Sequence, residues 1–353
     1  MKHFLLLCLL TAASLGFAQE TENIDMRDWQ RRSDALANQS DREIVDAADL
    51  IRQDTYNNAR KNPIWCPTDS IWEERRQALG LRESAALAGC PTEGICDDPV
   101  VRDNTELVAK TVNIYVHLMR NSNGSGGVNI DNAIAAYNTM QADYAQSGIS
   151  FNLVGAQWVN NTTYATIPAY SPFNNNWYNT IVNMKNDYAI YPRYVCNIFV
   201  SGQAPSGFGT LLGIGTFPWD PDATTKSGGL WMNNVAMTGA SHTFAHELGH
   251  CFGLWHTHHG VSEVASCSNC YEYASGFEGD VRGDFCSDTP PTPTNYNCSG
   301  PGGNDCQGHA WGPTQPENLM GYGPDSCQSL FTTQQTRRIH CWLPDALPLW
   351  ITQ

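Results

Sequence analysis

The chain has 353 residues and is acidic, with 35 Asp and Glu against 20 Lys and Arg and a formal net charge of −15. This length is enough for one or two domains with a sizeable apolar core. The negative charge argues against proteins that bind nucleic acids or anionic membranes, because both need a basic surface.

The first eighteen residues are typical of a secretory signal peptide. Lys2 precedes an apolar run from Phe4 to Leu10, and small residues lead to a predicted cleavage after Ala18. A buried N-terminal helix is the alternative, since the run is too short to span a bilayer. We therefore expect a secreted, extracellular protein without a membrane or nucleic-acid partner.

The cysteine content agrees with an oxidising compartment. Of the 13 cysteines, Cys8 would leave with the signal peptide, and the remaining even number favours disulfides for most of them. The single Cys-x-x-Cys pair, Cys267 and Cys270, has no matching second pair and is therefore weak evidence for a zinc knuckle.

Periodicity predicts a mixed α/β chain. Residues 41–53 have helical spacing, and the Pro, Gly and Asp cluster at 90–104 indicates a domain boundary. Beyond it the pattern predicts strands within 108–119, 148–159, 194–202 and 228–237, a helix at 129–146 that Asn129 or Asp131 caps, and a last helix at 332–343. Residues 257–324 are rich in Gly, Pro, Asn, Asp and Cys, which predicts loops held by disulfides.

The stretch "SHTFAHELGHCFGLWHTHHG" carries the chemistry. His246 and His250 are four residues apart and share one face of a helix, with Glu247 beside them. This is H-E-x-x-H, in which the imidazoles hold one catalytic zinc and the glutamate is a general base towards a zinc-bound water. Gly253 lets the chain leave the helix and bring His256 in as a third ligand, which leaves zinc an open position.

Three other histidines lie in the same stretch. His242 is four residues before His246 but lacks the adjacent glutamate and the glycine exit, so we exclude it from the ligand set. His258 and His259 are predicted to be solvated loop residues, since the third ligand position is already filled by His256.

A second motif supports the first. Met320 in "ENLMGYG" is followed two residues later by Tyr322, and an extended zinc motif with a later methionine turn is typical of the metzincin proteases. The segments "DFCSDTPPTP" and "ENLMGYGPDSCQSLFTTQQTRRI" resemble the pappalysin family of metzincins, which includes ulilysin and the cytophagalysins. The resemblance covers about residues 108–343.

The resemblance implies an α/β (α+β) metzincin fold: a twisted mixed sheet with the active-site helix, an irregular disulfide-rich C-terminal lobe, and a prosegment before them. The implied division is 1–18 signal peptide, 19–107 prosegment and 108–353 catalytic domain. It also implies that Tyr322 helps to hold the oxyanion, that Met320 packs beneath the zinc ligands, and that the strand within 228–237 forms the edge of the cleft and pairs with substrate.

Calcium is a further expectation. Asp284 and Asp288 lie in a Gly-rich loop with more carboxylate oxygen than a turn requires. Ordinary turn residues are the alternative. The resemblance favours a structural calcium ion, with Asp284, Asp288 and Thr289 as candidate ligands.

Latency depends on the prosegment cysteines. Many relatives silence the zymogen with one prosegment thiolate on zinc, and the candidates in this chain are Cys66, Cys90 and Cys96. We select Cys66 as the switch and pair Cys90 with Cys96. The alternative puts all three in disulfides, with latency by steric cover. Both alternatives place the maturation cut between Asp97 and Leu107.

The sequence therefore predicts a zymogen of a secreted zinc endopeptidase that hydrolyses extracellular proteins or peptides. The alternative is a metzincin-fold module that binds protein without cutting it. The presence of Glu247 argues against that module, because loss of the glutamate usually marks it.

Overall fold

The computed structural model describes residues 21–37, 66–80 and 90–352. The predicted signal peptide and the predicted helix at 41–53 lie outside these ranges. Within the described residues, every helix is too short or too polar to cross a membrane.

Seven strands within the described residues form the centre of the fold. They are β1 (Thr21–Asn23), β2 (Lys110–Arg120), β3 (Ile149–Asn160), β4 (Thr166–Ile167), β5 (Cys196–Gln203), β6 (Gly213–Ile214) and β7 (Leu230–Asn233). The order across the sheet is β1-β3-β2-β5-β7-β6, with β4 beside β5. The pairs β2–β3, β2–β5 and β5–β7 are parallel, whereas β1 and β6 run antiparallel at the two edges.

Helices connect and cover the strands. They are α1 (Met26–Ala37), α2 (Thr68–Ala78), α3 (Pro99–Asp103), α4 (Ile130–Ala145), α5 (Thr162–Ala165), α6 (Asn176–Tyr188), α7 (Thr243–Cys251) and α8 (Thr333–Ala346). Parallel neighbours need a crossover connection, which α4 supplies between β2 and β3. The Asn129 side chain caps α4 by accepting from the Asp131 backbone N–H, so the predicted cap is confirmed.

The sheet separates two apolar layers because side chains alternate along its strands. Ile198 and Val200 of β5 face the larger core, where α4, α7 and α8 pack, whereas Phe199 faces the layer beneath α6. The predicted α/β architecture, with a mixed sheet and the motif helix against it, is confirmed.

The strand within 228–237 is not the edge of the sheet, contrary to the expectation from the sequence. This strand is β7, and β6 pairs with its outer side, with Gly213 opposite Met232 and Ile214 opposite Trp231. Two residues of β6 carry too little periodic signal to be recognised in the sequence. The edge above the motif helix is therefore β6.

The predicted disulfide between Cys90 and Cys96 is also wrong. Among the cysteines that the structure describes, the four disulfides are Cys90–Cys270, Cys96–Cys341, Cys267–Cys306 and Cys298–Cys327. Cys90 lies against the C-terminal lobe and Cys96 against α8, so the two face different partners. The cysteines at 66, 196, 251 and 286 are free and buried.

Candidate active site

Helix α7 is shaped by two glycines. A Cβ on Gly249 would lie 2.4 Å from the Met320 Sδ, so a side chain there would collide with the methionine below the helix. Gly253 has φ +91°, and a Cβ there would lie 2.2 Å from Trp342 Cδ1. Only glycine combines that backbone conformation with that close approach, and the chain leaves the helix at this point.

The three predicted imidazoles converge. The Nε2 atoms of His246, His250 and His256 are 3.2 Å apart in each of the three pairs. Zinc–nitrogen bonds of 2.0–2.1 Å in a tetrahedral geometry place ligand nitrogens about 3.3 Å apart. The spacing of the donors therefore fits one zinc ion.

The opposite ring nitrogens orient the imidazoles. His246 Nδ1 lies 2.8 Å from the Leu319 carbonyl oxygen, and His250 Nδ1 lies 2.8 Å from the Leu254 carbonyl oxygen. His256 Nδ1 lies 2.9 Å from Glu263 Oε1. Since each of these oxygens accepts a hydrogen bond, the proton resides on Nδ1 and the Nε2 lone pairs point to the common centre.

Met320 lies in the turn beneath this triad. The Asn318 side chain accepts from the Met320 backbone N–H at 2.9 Å and fixes the turn. Met320 is fully buried, and its sulfur lies against Gly249 of α7. The same turn supplies the Leu319 carbonyl that orients His246.

Glu247 is fully buried between α7 and the edge strand. Its Oε2 accepts from the Cys66 thiol at 3.4 Å, while its Oε1 has no hydrogen-bond partner among the described residues. Burial raises the pKa of this carboxyl to about 8, and a cation held by the imidazoles would lower the pKa again. Gly213 of β6 permits the close approach, because a Cβ there would lie 2.4 Å from Glu247 Cγ.

Cys66 and Tyr322 meet at the same centre. Cys66 Sγ lies 3.3 Å from His250 Nε2, and the four donors from Cys66 and the three histidines all lie within 4.8 Å of one another. The Tyr322 hydroxyl donates to the Cys66 carbonyl oxygen at 2.7 Å. Burial, together with the Glu247 charge, raises the pKa of Cys66 to about 12, so its thiolate requires a cation beside it.

The segment that follows Cys66 lies along the cleft. The Thr68 hydroxyl accepts from the Gly215 N–H, just beyond β6, at 3.1 Å. Trp72 of α2 is 3% exposed and packs in a cluster with Phe217, Trp255 and Phe285. Farther along α2, Arg75 forms ion pairs with Asp220, at 2.6 Å, and with Asp222.

His258 is buried and His259 is partly buried, with its side chain 15% exposed, whereas the sequence predicted both to be solvated. His258 is 2% exposed, stacks on His256 with ring centroids 4.7 Å apart, and lies 3.3 Å from Glu263. His259 Nδ1 lies 3.1 Å from Asp69 Oδ2, which is also 3.2 Å from His256 Nδ1. The single turn at His259–Glu263 folds this loop back onto the triad.

The other excluded histidine, His242, lies just before α7. Its Nδ1 is 2.9 Å from Asp143 Oδ2, and its backbone N–H donates to Asp325 Oδ1 at 2.9 Å. His242 is thus engaged with Asp143 rather than with the three converging imidazoles.

The candidate calcium residues divide into two groups. Asp284 accepts from the Thr289 hydroxyl at 2.7 Å, and burial raises the pKa of Asp284 to about 7. Asp288 instead accepts from the Gln334 backbone N–H of α8 at 2.9 Å. The sequence analysis did not identify Glu272, which is 2% exposed and whose pKa burial and the Asp284 charge raise well above its ordinary value.

Glu272 is held in a narrow space. A Cβ on Gly260 or Gly283 would lie 2.5 or 2.1 Å from Glu272 Oε2. Glu272 Oε1 has no hydrogen-bond partner among the described residues. Two buried carboxylates and a hydroxyl offer oxygen donors of the kind that Ca²⁺ prefers.

Comparisons with known proteins relate parts of the chain to metallopeptidases. Residues 128–257 match the family model of reprolysin-like metallopeptidases of family M12B. The chain is 42% identical over 152 residues to pappalysin-1 of Homo sapiens, an alignment that covers 42% of this chain and 9% of that protein. An extracellular metalloprotease of Colletotrichum graminicola is 28% identical over 291 residues, which are 78% of this chain and 87% of the relative.

Among solved structures, a mutant of promirolysin from Tannerella forsythia matches with a TM-score of 0.48 and 18% sequence identity. The match covers 70% of this chain and 84% of that chain. The chain thus spans most of the fungal relative and of promirolysin but only a small part of pappalysin-1.

Proposed function

We propose that the chain is a secreted zinc endopeptidase made as a zymogen, because residues 128–257 match the model of reprolysin-like metallopeptidases and part of the chain is 42% identical to pappalysin-1. The observation that carries the proposal is the equal 3.2 Å spacing of three imidazole Nε2 atoms next to the buried carboxylate of Glu247. Secretion is supported by the names of the fungal relatives, which are extracellular metalloproteases, and by the signal-like first eighteen residues.

His246, His250 and His256 would hold zinc through Nε2. When bound, zinc supplies a Lewis acid that polarises the scissile carbonyl and makes water a stronger acid. Glu247 accepts the proton of the attacking water and then donates it to the leaving amine. Its buried Oε1 has no hydrogen-bond partner among the described residues, so it could accept from a water molecule once the prosegment leaves the cleft.

Tyr322 and β6 bind the substrate in this proposal. Once the prosegment leaves, the Tyr322 hydroxyl loses its Cys66 acceptor and can donate to the developing oxyanion instead. β6 is the edge of the sheet and runs above Glu247, so an extended polypeptide would add to it as a further strand. We therefore propose proteins or peptides as substrates.

Cys66 is the proposed zymogen switch. Its sulfur lies 3.3 Å from His250 Nε2 and close to the other two imidazole nitrogens, where it would exclude water from a bound ion. The maturation cut proposed between Asp97 and Leu107 has one consequence: Cys90–Cys270 and Cys96–Cys341 would keep the severed prosegment attached. A cut before Cys90 would leave no disulfide across it, since residues 67–89 contain no cysteine and Cys66 is free.

A structural calcium ion is proposed beside the Asp284 loop. Glu272, Asp284 and Thr289 are supported as ligands by their burial and their contacts. Asp288 retains the role predicted from the sequence as a weaker candidate, because one of its oxygens already caps α8.

The test is digestion of denatured protein by the matured chain. Zinc-loaded enzyme should cut the substrate internally, phenanthroline should stop it, and added zinc should restore it. Protein that binds zinc and its substrates without cutting any of them would favour the non-cleaving module and contradict the proposal.

A further inference from the structure

The N-terminal residues 21–37 bind the sheet at the edge opposite the cleft. β1 pairs with β3, with Thr21 opposite Val159 and Asn23 opposite Gln157, whereas the cleft is bordered by β6 at the other end of the sheet. Contacts at this edge cannot obstruct the imidazole triad. They must therefore contribute something other than steric cover.

The contact is substantial and apolar at its centre. Trp29 of α1 is 2% exposed, belongs to the main core cluster, and packs edge-to-face on Tyr137 of α4 at 6.1 Å. Large aromatic side chains buried at the centre of an interface usually dominate its energetics. Ile24 continues the strand pairing by donating its backbone N–H to the Ala156 carbonyl at 2.9 Å.

Polar contacts surround this apolar centre. Arg32 lies 2.8 Å from Asp131, at the start of α4, and Ser33 donates to Asn138 at 2.7 Å. Beside the strand, Glu22 lies 2.7 Å from Arg120. These contacts fix the position of α1 along α4.

No disulfide joins this segment to the rest of the chain. Residues 19–65 contain no cysteine, whereas the chain from Cys90 onward is cross-linked four times. A cut on the N-terminal side of Cys90 would thus leave the segment held only by non-covalent contacts.

We propose that the edge formed by β3 and α4 is a second binding site for the prosegment, which keeps the severed prosegment bound to the catalytic unit as an inhibitor. The occupant is residues 21–37 of the chain itself, with Trp29 as the anchor. This proposal rests on the proposed function in calling the segment a prosegment and an inhibitor, whereas the binding of residues 21–37 to this edge does not depend on it. It differs from the Cys66 switch because its contacts lie at the other edge of the sheet.

The experiment uses full-length chain with Glu247→Ala, so that retention can be measured whether or not the protein is a protease. A recognition sequence for a site-specific protease is inserted between Gly80 and Cys90 and cut after purification. Size-exclusion chromatography at falling concentration then gives the dissociation constant of the N-terminal fragment, and a non-reducing denaturing gel shows that no disulfide holds it. We expect co-elution, and at least a tenfold weaker complex for Trp29→Ala.

Arg27→Ala is the matched control, because Arg27 lies in the same helix but its side chain is 94% exposed and its hydrogen bonds go only to Asp25. A charge reversal and its compensating change test whether weaker retention comes from the lost contact and not from a folding defect. Arg32→Glu should weaken retention several-fold, and Asp131→Arg in the same chain should restore it.

Three results would overturn the proposal. The first is rapid dissociation of the N-terminal fragment from the nicked chain when Trp29 and Arg32 are unchanged. The second is retention by Trp29→Ala equal to that of Arg27→Ala. The third is unfolding of the catalytic unit when the fragment is removed, measured by circular dichroism, because residues 21–37 would then be part of the core and not a detachable partner. A lack of protease activity in the matured chain with Glu247 intact would contradict the proposed function alone, because retention of the fragment does not depend on that activity.

Discussion

Single residues decide the geometry of the candidate site. Gly249 and Gly253 allow Met320 and Trp342 to approach α7 more closely than any side chain would permit. Glu263, which is part of no recognised motif, orients His256. The site therefore depends on residues that hold no metal as well as on the three imidazoles.

Replacing Glu247 tests the chemistry. Glu247→Gln removes the base and keeps the shape, so we expect cleavage to fall by about 10²–10⁴-fold, the usual contribution of general acid–base catalysis. Zinc content, measured by atomic absorption, should remain one per chain because Glu247 is not a ligand. Glu106→Gln, at an exposed position, is the control. Unchanged proteolysis by Glu247→Gln would contradict the assignment.

Replacing Gly249 tests the packing. Gly249→Ala puts a Cβ 2.4 Å from Met320 Sδ, so we expect a loss of about 1–3 kcal/mol of unfolding free energy, typical of overpacking. Gly207→Ala is the matched control, since its Cβ would meet nothing within 4 Å. Thermal melts of the two variants measure the difference, and equal melting temperatures would show that Met320 can move away.

At the scale of elements, α2 and the residues before it cover the cleft. Cys66, Thr68, Trp72 and Arg75 each contact a different part of the catalytic unit, from the imidazoles to Asp220. Because these contacts are spread along the segment, the Cys66 thiol is only one of several groups that hold the segment over the cleft.

Cys66→Ala separates the thiol from steric cover. We expect the full-length variant to be measurably active before any cut, because water can reach the fourth position while Trp72 and Arg75 still hold α2. Initial rates on a fluorogenic peptide compare this variant with wild type and with Ser70→Ala, an exposed residue of the same helix. Activity as low as that of the wild-type zymogen would show that Cys66 is not the switch.

For the whole molecule, we expect the buried Glu272 and Asp284 carboxyls to link stability to pH and, through the proposed ion, to calcium. Burial raises the pKa of Asp284 to about 7 from an ordinary value of 3.8. Between these values the folded state binds more protons than the unfolded state, so without calcium the stability falls as the pH rises from about 4 to 7. Calcium binds ionised carboxylates, so calcium should reduce this loss of stability at the higher pH.

The measurement is the melting temperature at pH 5 and pH 7.5, in calcium-free buffer and with calcium, with zinc present throughout. We expect calcium to raise the melting temperature by about 5 °C or more at pH 7.5, and by less at pH 5, since protonated carboxyls bind it poorly. Asp284→Asn should abolish the calcium effect, whereas Asp345→Asn, an exposed change on α8, should preserve it. No calcium effect in the wild type at pH 7.5 would exclude the ion.

The sequence by itself determined the local features. His246, Glu247 and His250 share a helical face because of their spacing, Gly253 turns the chain, and Asn129 caps its helix, so the order of residues was enough to predict each feature. The longer strands and helices followed from their periodicity in the same way, whereas the mixed sheet was expected from the family resemblance.

Only the tertiary structure decided which distant residues meet. Cys90 and Cys270 are 180 residues apart, and no local pattern pairs them. The position of β6 at the edge and the approach of Asp69 to His256 also depend on how the chain returns on itself. So does the effect of the Asp284 charge on the pKa of Glu272. Spacing along a chain predicts contacts within one helix or strand, whereas contacts between elements depend on packing that the whole fold creates.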